Sequence, residues 1–446
     1  MIIFKNLFIT LNKIGIILIL PMFIVFGRTF SGLYLFNFRI AEYLLGYSLV
    51  VSFYYFFVRH DSSQVNKNII NLIKLHKFLL LISLLVLVIR KDFYSGLYLF
   101  KSSSYIWTIS FFYLAYFLKL SNKQSKLLTY LSCLALAVLY IFNTTYFPNF
   151  IKEFFLNNSD KFDFVKASMV TMGYMFTILL ARINLKKSEF FIYFFISSAV
   201  ILPVVMYQSK GSFIGFLIYF IYILFTQVNF IKHNVLLSIV IIILSVFLFS
   251  ISIYQVYGEL TIDVGKSESE IFITEITPKS VTSKVTNTLK SKTTYEESEK
   301  LLYIFEGRVY SSDHTANWRL QIWQDVLFDL INENKLAFGY GFDDIIPAML
   351  KIGRSGLDES NENVHNYFVN IFARGGLVSL FLILIYFYKL NLNYLRFNKK
   401  YDLFFFIVAT LFVANFDPSM ETVRVPLLFY YGCGYLYSHS EQNKLI

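Results

Sequence analysis

The stretch SNENVHNYFVNIFARGGLVSLFLIL, Ser360–Leu384, sets His365 and Asn366 at the mouth of a long apolar run. A neutral imidazole at such a junction can take a proton from a group arriving on the polar side. Its plainer role there is interfacial hydrogen bonding. Arg319 stands in DHTANWRLQIWQDVLFDLIN, Asp313–Asn332, where Leu320, Trp323, Leu327 and Leu330 recur at three- and four-residue steps and predict an amphipathic helix near 315–332. With Thr315 or Asn317 as its cap, Arg319 lies in the first turn, where a cation opposes the helix dipole and calls for an anion. Free N-terminal amides beside a guanidinium make a phosphate-binding corner. The alternative is an ion pair with a loop carboxylate such as Asp313.

Two further cations belong with these. Lys210 in YQSKGSF and Arg424 in DPSMETVRVP are expected on the same side as Arg319, as a basic lining for an anionic substrate. Gly339 and Gly341 in AFGYGFDD permit a tight turn or a close backbone approach. Within apolar runs, Arg39 and Glu42 are three apart and expected to pair, and Arg374 faces a cavity, snorkels or pairs.

The elements that must position these side chains are membrane spans. Of 446 residues, 56% are hydrophobic and 15% charged, too apolar for an ordinary soluble core. Apolar runs recur near 7–27, 33–58, 76–90, 104–119, 127–145, 168–182, 190–207, 212–228, 235–254, 367–388, 402–416 and 425–438. The first reads as a retained span, since it lacks a small-residue cleavage site. The third is the weakest, with only Phe78–Ile89 uncharged between Lys77 and Arg90. The expected fold is an all-α polytopic membrane protein of about twelve transmembrane helices. Spans one to nine occupy 1–254, a large and partly helical outer loop occupies 255–366, and spans ten to twelve occupy 367–446.

Charge gives the orientation. With both termini inside, the inward segments hold 18 Lys and Arg and the short outward loops 9, the positive-inside pattern. The formal charge of +11 is thereby mostly an orientation signal and gives no case for nucleic acid. Loop 255–366 has the opposite balance, 11 basic against 18 acidic residues, and its Ser/Thr/Lys/Glu-rich part, 265–300, reads as loosely packed. Of six histidines, His60, His76, His233 and His439 fall inside, leaving His314 and His365 outside. Cys133 and Cys433 sit in apolar runs with no Cys/His cluster around them, which argues against a zinc site or a disulfide framework. The aromatic share of 20% fits A/T-rich coding as well as a ligand-stacking surface.

The order of QSKGSF before the eighth span, NWRLQIW then GYG in the large loop, and His365-Asn366 followed by Gly375 and Gly376 resembles the bacterial O-antigen ligase and polymerase superfamily. These are membrane glycosyltransferases working on undecaprenyl-linked glycans, and the likeness covers roughly the last 240 residues. The resemblance implies an inverting, metal-independent and cofactor-free transfer at the outer face of the bacterial inner membrane. In it His365 is the general base, Arg319 is catalytic, and Lys210, Arg424 and Asn366 hold the pyrophosphate or glycan. The implied partners are an undecaprenyl-pyrophosphate oligosaccharide, membrane lipid, a glycan acceptor and a chain-length regulator.

Two departures bear on the reaction: Lys210 stands where the family usually has arginine, and Ser379 where ligases commonly have Gly, Thr or Tyr. With the divergent first half, they favour a polysaccharide polymerase over a ligase that moves the glycan to lipid A core. A flippase for lipid-linked glycans is the alternative from another class; the polar residues gathered in one outer loop, rather than at the bilayer midplane, count against it.

Overall fold

The structure is a computed structural model and describes residues 2–58, 67–90, 101–160, 162–260, 302–354 and 361–442. The loop segment 265–300 and His60 lie outside the described residues. In chain order the helices are α1 Ile2–Ser31, α2 Ile40–Phe53, α3 Lys67–Arg90, α4 Ser104–Trp107, α5 Ser110–Leu118, α6 Asn122–Thr144, α7 Asn149–Asn158 and α8 Ala167–Asn184. They continue as α9 Lys187–Gln208, α10 Lys210–His233, α11 Val235–Tyr257, α12 His314–Asn332, α13 Tyr367–Asn398, α14 Asp402–Ala414 and α15 Arg424–Gln442. Two antiparallel hairpins complete the order: β1 Tyr34–Leu35 with β2 Phe38–Arg39, and β3 Leu302–Phe305 with β4 Arg308–Ser311.

Each of the twelve apolar runs falls on a helical segment. Among the described residues seven helices are long and apolar enough to cross a membrane, and Ile40–Phe56, Ser104–Leu118 and Asp402–Ala414 are shorter apolar helices. The weakest run by sequence belongs to one of the seven, Ile69–Arg90, because the helix continues toward the N-terminus past Lys77 and Lys74. The chain is a multi-pass, predominantly helical membrane protein. The outer face of α11 makes the solvent plain: Leu236, Ile243 and Phe247 are exposed by 81%, 64% and 62%, a surface that hydrocarbon covers and water does not.

Backbone contacts divide the chain into two compact units. The first comprises Met1–Lys74, Ser104–Lys266 and Phe387–Ile446. Its helices cross closely where glycine removes the side chain. A Cβ on Gly434 of α15 would stand 2.2 Å from the Phe112 carbonyl oxygen of α5, and one on Gly215 of α10 2.4 Å from Val413 of α14. A charged pair is buried among α8, α10 and α14: Arg182 binds Asp402, whose Oδ1 also accepts from the Tyr222 hydroxyl at 2.6 Å. Such a pair persists away from water because each charge has its complement.

Arg39 and Glu42 do not pair inside a span. Arg39 precedes α2 in the β1–β2 hairpin, its backbone N–H donates to Glu42 at 3.0 Å, and its guanidinium lies 3.7 Å from Asp160. Arg39 is the residue before α2 and Glu42 lies in its first turn, so both charges stand at the helix start rather than in its interior.

The second unit comprises Leu75–Ser103 and Ser267–Tyr386. Its core is the apolar stripe Ile322, Val326 and Leu330 of α12, packed on Ile346, Ala348, Met349, Val364 and Ala373. The expected stripe was Leu320, Trp323, Leu327 and Leu330; Leu327 is instead 41% exposed and the buried arc is rotated around the helix. The reason is the β3–β4 hairpin, which packs on a polar side of α12. Gln321 and Gln324 donate to the Val309 carbonyl at 3.0 and 2.8 Å, and Arg308 binds Asp325. The helix also starts earlier than expected: Asp313 is the cap, its Oδ1 accepting from the Ala316 N–H at 2.9 Å. Asn317 serves the hairpin instead, accepting from the Ser311 N–H.

Candidate functional site

His365 occupies the last residue but one before α13. Val364 is fully buried under α12, and its carbonyl accepts from the Trp323 indole at 2.8 Å. Asn366 caps the helix, its Oδ1 accepting from the N–H groups of Phe368 and Val369, both at 3.0 Å. Between an anchored residue and a cap the chain must turn sharply, and His365 does so with φ +53°, the left-handed region. A β-carbon there costs of order 1–2 kcal/mol, which the Val364 anchor and the Asn366 cap offset.

The half-buried imidazole is held from two sides. Trp318 of α12 meets it edge to face at 5.2 Å between ring centres and is itself fixed by its indole N–H on the Gly353 carbonyl. Nε2 lies 2.9 Å from Nδ2 of Asn361. Neighbouring Glu362 turns to Lys101, with Nζ and Oε2 at 2.7 Å. The ring stands just ahead of the α13 N-terminus. Asn361 is absent from the residues expected at the site; a donor four residues ahead of a histidine in the polar run NEN is the signal for it in the sequence.

Arg319 lies in the second turn of α12, since the helix begins at His314. Two amides at the start of the helix are engaged, Ala316 by the Asp313 side chain and Asn317 by the Asp313 carbonyl, and Arg319 lies beyond them rather than in the first turn. Arg319 is partly buried on the same helix as Trp318.

The glycines of AFGYGFDD make the expected close approach, and what they approach is the chain itself. α13 is broken at Gly376, which has φ +65°. Tyr340 and Gly341 donate to the carbonyls of Ala373 and Arg374 at 2.8 and 3.0 Å, while Leu377 and Val378 donate to Leu336 and Ala337 at 2.9 and 3.2 Å. Two carbonyls ahead of the break and two N–H groups after it thus find partners in the loop. A Cβ on Gly339 would lie 2.5 Å from the Ala373 oxygen, and one on Gly376 2.2 Å from the Ala337 oxygen. Two arginines tighten the same loop: Arg90 donates to the Gly339 carbonyl at 2.8 Å, and Arg374, 3% exposed, to the carbonyls of Gly341 and Asp344. Arg374 therefore pairs with backbone.

In the first unit, Lys210 is exposed at the start of α10, where Ser209 caps the helix by accepting from the Ser212 N–H. Arg424 opens α15 with Asp417, Arg28, Asp163 and Asp160 as the charges around it, and its Nε is buried without a hydrogen-bond partner. Among the described residues no three His, Cys, Asp or Glu side chains gather as a metal site.

Residues 192–384 match the family model described as O-antigen ligase. This region, less than half of the chain, is similar to the O-antigen ligase and polymerase superfamily. No curated protein matches the chain. The matched region contains Lys210, Arg319, His365 and Asn366, whereas Arg424 lies beyond its end. The match supports glycosyltransferase-type chemistry linked to O-antigen and lipopolysaccharide biosynthesis.

Proposed function

We propose that this chain is a polysaccharide polymerase of the O-antigen type, with His365 as its general base. The acceptor hydroxyl of one lipid-linked repeat unit attacks the anomeric carbon of a glycan carried on undecaprenyl pyrophosphate. As the new C–O bond forms, the hydroxyl proton passes to the imidazole and the bond from the anomeric carbon to the pyrophosphate breaks, inverting that centre. The observation that carries the reading is the placement of His365 inside the matched region, braced by Trp318 and Asn361 directly ahead of a helix long and apolar enough to span. A polyprenyl carrier keeps its tail in the bilayer and presents its pyrophosphate and sugar at the interface, so the base belongs at such a junction.

Arg319 is the candidate in the second unit for the developing pyrophosphate charge, and electrostatic stabilisation of this kind is commonly the largest catalytic contribution. Lys210 and Arg424 belong to the first unit and are separate candidates for the anionic donor, each tested by its own substitution. Lys210 keeps the charge of the family's usual arginine without its two-pronged geometry. The reaction needs no metal, the termini are cytoplasmic, and the loop faces the periplasm. The second reading, transfer of the finished glycan to lipid A core, is favoured by the matched family's description as O-antigen ligase.

The deciding experiment is a gel of surface polysaccharide from cells lacking the gene, complemented with wild type or His365→Ala. Acceptor capped by a single repeat unit supports the polymerase, and long lipid-linked chains without attachment support the ligase. An unchanged ladder with His365→Ala removes His365 as the base.

A further inference from the structure

Asn361 carries more information than a contact distance. Its side chain makes two hydrogen bonds with opposite requirements. Oδ1 accepts from the Asn363 backbone N–H at 3.1 Å, and Nδ2 faces Nε2 of His365 at 2.9 Å. The amide oxygen and nitrogen of an asparagine are assigned by their surroundings, and here the surroundings decide. A backbone N–H can only donate, so the atom facing Asn363 is the oxygen and the atom facing the imidazole is the NH₂ group. An NH₂ group has no lone pair to offer, so Nε2 must be the acceptor. In the neutral ring the proton then sits on Nδ1.

We infer that Asn361 is a positioning residue that fixes the His365 tautomer and reserves the Nε2 lone pair for the acceptor hydroxyl. This rests on the general-base reading above. The geometry around it is built to hold that state. Val364 is pinned by the Trp323 indole, Asn366 is committed to capping α13, and at the left-handed turn of His365 both Trp318 and Asn361 lie against the ring.

When the acceptor arrives, its O–H takes the place of the Asn361 amide as donor to Nε2. As the glycosidic C–O bond forms, the O–H bond breaks, Nε2–H forms and the pyrophosphate leaves with the electron pair of the broken anomeric bond. The imidazolium Nε2–H then faces an NH₂ group, a donor against a donor. The amide must rotate to offer Oδ1, releasing the Asn363 N–H, and it returns once the proton has left. Asn361 thereby holds Nε2 as an acceptor before transfer.

The test uses the full-length protein, labelled with ¹⁵N-histidine and reconstituted in phospholipid vesicles. Solid-state NMR separates protonated from unprotonated ring nitrogens. The His365 signals are identified by their loss in His365→Ala. Wild type is expected to show a protonated Nδ1 and an unprotonated Nε2. Asn361→Asp, which sets an acceptor against Nε2, is expected to move the proton to Nε2. A wild-type ring protonated at Nε2, or an Asn361→Asp ring unchanged from wild type, overturns the proposal.

Transfer kinetics on the same samples give a second readout. Asn361→Asp and Asn361→Leu are expected to lower kcat by about tenfold or more, a part of what a whole general base supplies, with acceptor KM held. Asn361→Leu acting on KM alone counts against a tautomer role. The NMR result stands whether or not His365→Ala retains activity, so failure of the tautomer inference is distinguishable from failure of the base assignment.

Discussion

Two polar clusters in the second unit are built on opposite principles. Around Asp325 everything is charge: Arg308 and Arg354 hydrogen-bond its two oxygens, Lys351 stands at 3.7 Å and also binds Asp329 at 2.7 Å, and the carboxylate side chain is 6% exposed. Around His365 the bracing groups are neutral: an indole, an amide and a helix cap. Burial alone would raise the Asp325 carboxyl, but hydrogen bonds from Arg308 and Arg354, with the charges of Arg354 and Lys351, hold it below the usual carboxylate range. A group locked in one charge state ties a hairpin to a helix; a group that must gain and lose a proton is better held by neighbours that do not decide its charge. The difference separates scaffold from chemistry within one small unit.

Substitution at each cluster can break that contrast. His365→Ala is expected to cost about 10²–10⁴-fold in glycan transfer while the amount of inserted protein stays at the wild-type level, read by gel and by membrane immunoblot. Loss of folded protein instead would return His365 to the scaffold class. Gly376→Ala is expected to destabilise by about 3–5 kcal/mol, from left-handed strain and the clash with Ala337, and to deplete folded protein in a detergent thermal-shift assay.

Asp325→Ala leaves two arginines facing each other and is expected to cost about 3 kcal/mol, the low end for a buried pair because Arg308 and Arg354 are partly exposed. Limited proteolysis of the hairpin reads it. Because the folded carboxyl titrates lower than in the unfolded chain, its contribution is fully present above about pH 4 and fades as pH falls through the lowered value. Protease resistance should therefore stay flat from neutrality to about pH 5 and drop only in stronger acid.

The smallest effect is expected at Asn366. Asn366→Ala should lose about 1 kcal/mol of helix capping, and Asn366→Ser should restore it. Activity that returns with serine makes Asn366 a cap; activity that stays low with a stable protein gives it a glycan contact.

The fold was legible because a bilayer imposes its length on the chain. The apolar runs overlap helices, seven of which among the described residues are long and apolar enough to span, and even α3 is one of these once its N-terminal extension is counted. Less legible was everything that depends on a hairpin meeting a helix. Glu306 and Gly307, both at positive φ, close a two-residue turn between LYIF and RVYS, with Tyr303 stacked on Tyr310 across the strands. That pattern is visible in the sequence, but its consequence for which face of α12 is buried is not. Periodicity counts apolar residues, and the hairpin buries Gln321 and Asp325 through hydrogen bonds. At the candidate site the histidine and its helix cap were legible as types at a junction, whereas the partnership of His365 with Asn361 depends on a left-handed turn that no spacing rule encodes.

The break in α13 has a consequence for biogenesis. A helix interrupted at Gly376 would carry unmet carbonyls and amides into the membrane by itself, and the segment that satisfies them, Leu336–Gly341, precedes it in the chain. During synthesis the mate is therefore made before the interrupted span leaves the ribosome. Insertion of this span and folding of the loop ahead of it become one event, and a ribosome paused between Gly341 and Tyr367 already holds the part that makes the break tolerable.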